Sequence, residues 1–508
     1  MARSTTLSFI TEVPLKVDSL TEKQLNSKFQ AGRQLYNACL NEALIRMQLV
    51  HNSEPYKQAK KLNRDKDKKQ RKELFKTARE QARFSDYELQ SFATISAKSS
   101  KWIANNLDAQ SQQKLATRAF KAVERILFGI AKQVRFKVTT RFKSVEGKSN
   151  KQGLRWLKNQ VVWYGLKIAP IIDWNNPVIV HGLNSPVKYC RILWRNLNGK
   201  KCWFVQLINE GLPYQKPQNY VTQGIVGLDV NVSNVAFVAN YKAGLLPFAD
   251  KVPTFEREIK ALQRKMQRSQ RMHNQDNFES DFGKRVGNKI VRKKGKVKKG
   301  KKQWIRTRNY RRIATKKAEL ERRKAAYAKS QNRKLVNEIL RHGNQIKTEK
   351  LSIKGWHKRY GKAISAKSPG YFQSELKRKA ESAGGYFLTF STQKTALSQT
   401  HLDGTRIKKS LSQRVHKDAT GFVMHRDLFS AFLSRCVYND SLSLWDAQCE
   451  YPGTEPFLSD AWKQYQQSAN RVAECESRSG YSSSEQISDE VLTSNQIANK
   501  SDKLEGNA

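Results

Sequence analysis

GIVGLDVNVSNVAFVAN, Gly224 to Asn240, holds one acidic residue in seventeen. Val, Ile, Leu, Ala and Phe crowd around that residue, Asp229, so closely that the stretch reads as a buried strand. An unpaired carboxylate taken into a core is driven to give up its charge, because a buried ion without a partner is costly. Two readings remain. Asp229 caps a turn at the solvent end of the strand, or it holds a cation that is not a side chain.

The wider composition sharpens the question. The chain has 508 residues, 95 of them Lys or Arg against 44 Asp or Glu, for a formal net charge of +51. Its length predicts two or three domains, and 38% hydrophobic content with ten tryptophans is enough to build their cores. Such an excess of charge repels itself and calls for a polyanionic partner, with nucleic acid ahead of anionic membrane. No apolar run reaches membrane-spanning length, and MARSTTLSF at the start carries no signal-peptide core. Cys39, Cys190, Cys202, Cys436, Cys449 and Cys475 are scattered without a CxxC pair. That spacing predicts neither a disulfide framework nor a zinc knuckle, and it fits a reducing cytosol.

Outward from the opening stretch, the chain changes regime several times. TTLSFITEV from Thr5 reads as a strand. A capping box at Thr21 and Gln24 then starts a helix with Leu25, Phe29, Tyr36, Leu40, Ala43 and Met47 at helical spacing. Residues 57–83 are charged with little apolar face. Ser85 and Glu88 box a second helix through Phe92, Ile95 and Trp102, and Leu115, Phe120, Val123, Leu127, Ile130 and Val134 mark a third. From about residue 136 the pattern turns β-rich, and Asn198-Gly199 is a strong hairpin signal. These features predict an α/β multidomain chain. In it a helical bundle (16–135) is inserted into a small β-barrel formed by 1–15 and 136–222.

Apolar strands follow from Gly224, and then a basic segment. Residues 284–324 carry twenty Lys or Arg and two acids. Gly287, Gly295 and Gly300 break its first half into a loop or arm, and a helix follows from Arg311 towards Gly343. Such a run would repel itself unless it lay along phosphates, so Lys293, Lys294, Lys298, Lys299, Lys301, Lys302, Arg306, Arg308, Arg311 and Arg312 are expected to bind nucleic acid. Trp304 and Tyr310 could stack on nucleotides or serve as packing anchors. Residues 437–508 reverse the charge, with twelve acids and five bases, and read as a disordered acidic tail.

Against that basic background three acids stand out. Asp229 lies in IVGLDVNV, Glu349 ends NQIKTE, and Asp427 opens the amphipathic run DLFSAFLSR. Only folding could bring them together. Converged, they would form an oxygen-rich site for hard divalent cations, which activate water and shield phosphate charge. Each also has a plainer reading: Asp427 as an N-cap, Glu349 as surface charge between Lys347 and Lys350. No GxSxG, P-loop, HExxH or GxGxxG motif offers another chemistry, and His401, His416 and His425 read as ordinary polar or phosphate-contacting residues.

Taken together, VGLDVNVSNVAFVA, TEKLSIKGW, SNKQGLRW (149–156), TALSQT (395–400), KKSLSQRVH (408–416) and HRDLFSAFL (425–433) resemble the transposon-encoded TnpB family, RNA-guided DNA endonucleases related to compact type V CRISPR effectors. The likeness covers roughly residues 1–435. It implies an RNase H-like (RuvC) nuclease domain over 223–436 with a basic helical segment at 284–342. It further implies a wedge barrel and a recognition bundle. Asp229, Glu349 and Asp427 match the aspartate, glutamate and aspartate of the three RuvC-like motifs, and the resemblance gives them two Mg²⁺ ions and DNA phosphodiester hydrolysis. The sequence departs from the family pattern at Asn231, where glycine is usual. It departs again across 391–424, where a four-cysteine zinc ribbon is replaced by THLDG and HKDATG. No zinc is therefore expected.

The expected partners are a guide RNA, a double-stranded target DNA with its displaced strand and a companion transposase encoded nearby. The expected setting is the cytoplasm of a prokaryotic cell, at the nucleoid. Two other functions share these features: an RNA-guided DNA binder that does not cut, and a DDE-type transposase.

Overall fold

The computed structural model describes residues 6–479 apart from 288, 301, 411 and 412. The chain divides into two compact units, Met1–Gln215 and Lys216–Ala508.

In the first unit strand β1 (Ser8–Pro14) precedes six helices: α1 (Ser19–Asn52), α2 (Glu54–Lys61), α3 (Lys68–Gln81), α4 (Asp86–Ser99), α5 (Lys101–Asn106) and α6 (Ala109–Leu127). Strands β2 (Ser144–Glu146), β3 (Arg155–Leu157), β4 (Gln160–Trp163) and β5 (Leu166–Ile168), helix α7 (Pro177–Leu183) and strands β6 (Val187–Leu197) and β7 (Lys200–Glu210) complete it. A four-stranded antiparallel sheet has the order β1-β7-β6-β2, and β3, β4 and β5 form a second sheet. The helical block is thus inserted between a first strand and its partners. Asn198 and Gly199 both take positive φ between β6 and β7, where Leu197 faces Lys200, as the type I′ turn of a two-residue hairpin requires.

Capping explains where the helices begin. Asp18 Oδ1 accepts from the Thr21 amide at 2.7 Å, so α1 starts three residues before the expected capping box at Thr21. Ser85 caps α4 as expected, accepting from the Glu88 amide at 3.2 Å. Asp108 caps α6 through the Ser111 amide and also accepts from Trp163 Nε1 at 2.9 Å, tying the helices to β4. Leu25, Leu35, Leu40, Leu89 and Val123 fill the core. Ile95 and Ile130, expected on apolar helix faces, are 65% and 66% exposed. α6 ends before Ile130, because Gly129 leaves the helix with φ +68°.

The second unit runs β8 (Ile225–Val230), β9 (Asn234–Val238), β10 (Ala243–Pro247), α8 (Glu256–Met272), β11 (Phe282–Val286), β12 (Lys289–Lys293), α9 (Arg308–Leu340), β13 (Gln345–Glu349), α10 (Ile353–Ile364), α11 (Pro369–Ser382), β14 (Tyr386–Phe390) and α12 (Thr392–Thr395). It continues through β15 (Val415–Lys417), β16 (Val423–His425), α13 (Arg426–Arg435), β17 (Val437–Tyr438), β18 (Ser441–Leu442) and α14 (Leu444–Ser479). A five-stranded sheet has the order β10-β9-β8-β13-β14, antiparallel from β10 to β8 and parallel from β8 to β14. Val226, Leu228 and Val230 point into one layer with Val336, Ile339, Phe372 and Leu376 of α9 and α11. On the opposite side Ala236 and Val238 meet Leu428, Phe429 and Phe432 of α13.

The expected disordered tail begins too early. Tyr451, Leu458 and Ala461 of α14 are buried in that second layer, so 444–468 belongs to the domain despite its acidic composition. Residues 480–508 lie outside the described residues. No helix among the described residues is long and apolar enough to cross a membrane.

Candidate active site

Strand periodicity fixes which side of the sheet the acids occupy. Val226, Leu228 and Val230 serve the α9–α11 layer, so Gly227 and Asp229 face α13. β13 lies parallel to β8 with Thr348 opposite Leu228, which sets Glu349, the last residue of β13, beside Asp229. α13 crosses the same face so closely that the Ala431 carbonyl oxygen would stand 2.1 Å from a Cβ on Gly227. From Gly227 to Asp229 the strand rises about 6.6 Å. From Ala431 back to Asp427 the helix rises about 6 Å. The matched rises bring Asp427 over the end of β8 that carries Asp229. Three acids far apart in sequence therefore meet at one end of the sheet.

Their electrostatics record the meeting. Asp229 is half-buried by exposed surface but enclosed by protein, and its carboxyl is pushed well above the usual carboxylate range. Burial is the main cause, followed by the charges of Asp427 and Glu349. Arg426 and a 3.4 Å hydrogen bond from Asn231 Nδ2 work against it. Burial also pushes Glu349 up to about 6. Asp427 is 1% exposed, with the Arg414 guanidinium 3.5 Å from Oδ2 and Arg426 Nε 3.7 Å from Oδ1. A buried carboxyl whose proton affinity is raised by two neighbouring carboxylates, as that of Asp229 is, would be relieved by a shared hard cation, which an all-oxygen donor set suits.

The plainer readings of two acids do not hold. Asp427 is not the N-cap of α13; His425 is, its Nδ1 accepting from the Asp427 amide at 3.2 Å. Glu349 is no free surface charge but stands in the carboxylate group. His425, expected to be an ordinary polar or phosphate-contacting residue, is instead the cap of α13, 5% exposed and set against Trp462 and Tyr465 of α14.

A second polar cluster occupies the cysteine-free 391–424 segment. His401, His416 and Asp418 are buried with possible ligand atoms within 4.8 Å of one another. Asp418 is nonetheless fully engaged. It accepts from His416 Nε2 at 2.8 Å, the Leu402 amide at 3.0 Å, and the Thr420 amide and hydroxyl at 3.1 and 2.8 Å. Burial works to raise its pKa, but these donors hold it below the usual value. His401 Nδ1 accepts from the Ala419 amide at 2.9 Å, Lys409 Nζ contacts His416 Nδ1, and the His416 ring stacks on Phe429 at 4.3 Å. Hydrogen bonds and packing thus close the loop. The clue in the sequence was HKD at 416–418 with His401 before it.

The predicted nucleic-acid-binding residues split between two elements. Lys293, Lys294, Lys298, Lys299 and Arg306 lie in the arm before α9, while Arg308, Arg311 and Arg312 lie in its first turns; all eight are exposed. Lys302 is half-exposed, and Lys301 lies outside the described residues. The arm is no plain loop, because β11 and β12 form a hairpin within it. Trp304 packs edge-on against Phe278, with ring centroids 5.8 Å apart, so it serves as an anchor.

No family model matches the chain, and no curated protein matches it. Among solved structures it is similar to a chain of the "Cryo-EM structure of the Cas12f1-sgRNA-target DNA complex", with 11% identity and a TM-score of 0.44 over 85% of this chain and 99% of that one. A chain of the "Cryo-EM structure of CRISPR-Cas12f Ternary Complex" gives 11% identity and a TM-score of 0.24 over 84% and 86%.

Proposed function

We propose that this chain is an RNA-guided DNA endonuclease of the TnpB type, with an RNase H-like domain built on the sheet β10-β9-β8-β13-β14. The observation that carries the reading is the convergence of Asp229, Glu349 and Asp427 at one end of that sheet. These three carboxylates would hold Mg²⁺. The bound metal would supply a more acidic water and shield charge on the phosphate. The chain's own part is to fix the acids on two strands and a packed helix, so that a scissile phosphodiester meets a preset array. Arg414, 49% exposed at its side chain beside Asp427, is placed to meet the phosphate. The exposed basic arm supports a polyanionic partner, with base pairing to a guide providing sequence choice.

A binder that does not cut is the second reading. Asn231 beside Asp229 and the Arg414 contact with Asp427 favour it, since each gives a carboxylate a partner other than metal. Target cleavage by the chain with its co-purified RNA in Mg²⁺, compared with Asp229→Ala, decides between them. The endonuclease reading expects cleavage by the wild type only. Equal cutting by both proteins refutes the site, and tight binding without cutting by the wild type establishes the binder.

A further inference from the structure

The hairpin in the basic arm is built unlike the rest of the molecule. α8 packs along α9 and buries no residue of its own, so the two helices form a stalk, with α8 about 25 Å long. At its far end a small cluster pins the chain. Arg271 lies 4.4 Å over the Phe278 ring, and Arg271 Nη2 donates to the Gly295 carbonyl at 2.8 Å. Asn274, 7% exposed, donates to the Ile305 carbonyl at 3.1 Å and accepts from the Ile305 amide at 2.6 Å. Beyond this base β11 and β12 pair with every strand residue exposed on both faces.

The side chains sort by face. Phe282 pairs with Lys293, Lys284 with Val291 and Val286 with Lys289, so one face carries the lysines. Gly283 pairs with Arg292 and Arg285 with Ile290, so the other carries both arginines around an isoleucine that is 80% exposed. Neither strand contains an acid. A two-stranded ribbon alone is marginal in water, and this one has no core to cover. Its charge calls for a polyanion. Its width suits the roughly 12 Å major groove of B-form DNA. The deep, narrow major groove of duplex RNA would exclude it. Arginine is the side chain that grips guanine edges in two-point fashion, whereas lysine meets phosphate as a point charge.

We propose that the β11–β12 ribbon enters the major groove of duplex DNA with Arg285 and Arg292 toward the base edges and its lysines reaching the flanking phosphates. The ribbon would make the protein itself a reader of a short guanine-containing motif. This rests on the reading that the chain acts on DNA, but not on its cutting that DNA.

The test uses the full chain in EDTA, so that cleavage plays no part. Duplexes are selected from a randomised pool, and binding to selected and unselected DNA is measured by anisotropy across a salt series. Lys284→Gln with Lys289→Gln should weaken binding to all DNA alike and flatten the salt dependence by about one log unit per lysine. Arg285→Gln with Arg292→Gln should cut the preference for selected over unselected duplexes by about tenfold or more. Because the ribbon buries no side chain, both variants should melt like the wild type. The assignment is overturned if wild type selects no sequence, if the arginine variant keeps the preference, or if it loses as much affinity for duplex RNA as for DNA. A protein that selects duplexes in EDTA yet leaves them uncut when Mg²⁺ is supplied instead would remove the endonuclease reading and leave the ribbon's role standing.

Discussion

Gly227 of β8 lies directly under Ala431 of α13, where a Cβ would stand 2.1 Å from the Ala431 carbonyl oxygen and 2.9 Å from the Arg435 amide nitrogen. Both obstacles are backbone, so neither can turn aside. Gly227→Ala should force α13 off the sheet and cost about 1–3 kcal/mol. Amide exchange in β8 and α13 would show faster opening, and Mg²⁺ affinity would fall because Asp427 moves with the helix. Unchanged exchange in both elements would contradict the packing described here.

The raised acids make a pH prediction of definite sign. Glu349 ordinarily titrates near 4.5 and does so at about 6 in the fold, so the folded chain binds the extra proton. Its stabilising share is full below 4.5 and is lost as pH rises through about 6; Asp229 acts in the same direction from 3.8 upward. In metal-free protein at pH 7, Asp229→Asn or Glu349→Gln should therefore raise the melting temperature relative to wild type, and this gain should vanish near pH 4. Mg²⁺ should raise the wild-type melting temperature and leave the variants little changed. A Mg²⁺ gain of equal size in all three proteins would place the ion elsewhere.

His425 holds the helix that carries Asp427. His425→Ala removes the acceptor of the Asp427 amide and should cost about 0.5–2 kcal/mol, whereas His425→Asn offers a side-chain acceptor and should recover much of it. Equal losses in the two variants would assign the effect to ring packing against Trp462 and Tyr465 instead.

Asp418 ties together the loop ahead of α13 through four hydrogen bonds. Asp418→Asn turns one acceptor edge into donors facing donors, at about 1–3 kcal/mol for each group left unsatisfied. Thermal melting should fall accordingly, while dialysis of wild type against a chelator should leave the loop's stability unchanged. A clear drop on chelation would instead identify His401, His416 and Asp418 as ligands of a bound metal.

Period and turn chemistry made much of this architecture legible from the residues alone. The Asn198-Gly199 hairpin, the Ser85 cap, the buried strand around Asp229 and the insertion of helices after a first strand all follow from local rules. Local rules failed where a distant partner decided the outcome. Composition marked 444–468 as tail, yet its apolar residues find a face of α13 to cover. Basic charge around 284–293 concealed a two-faced ribbon, because charge repels regular structure only until pairing of the backbone offsets it.

By itself the chain of residues determined which side chains could bear charge, where the backbone could turn and which periods could bury a face. Tertiary structure alone decided that Asp229, Glu349 and Asp427 share one end of a sheet. That outcome depends on the register of β13 on β8 and on a glycine that lets α13 approach. Register and approach are settled by contacts between residues more than a hundred positions apart, and no local pattern encodes such a contact.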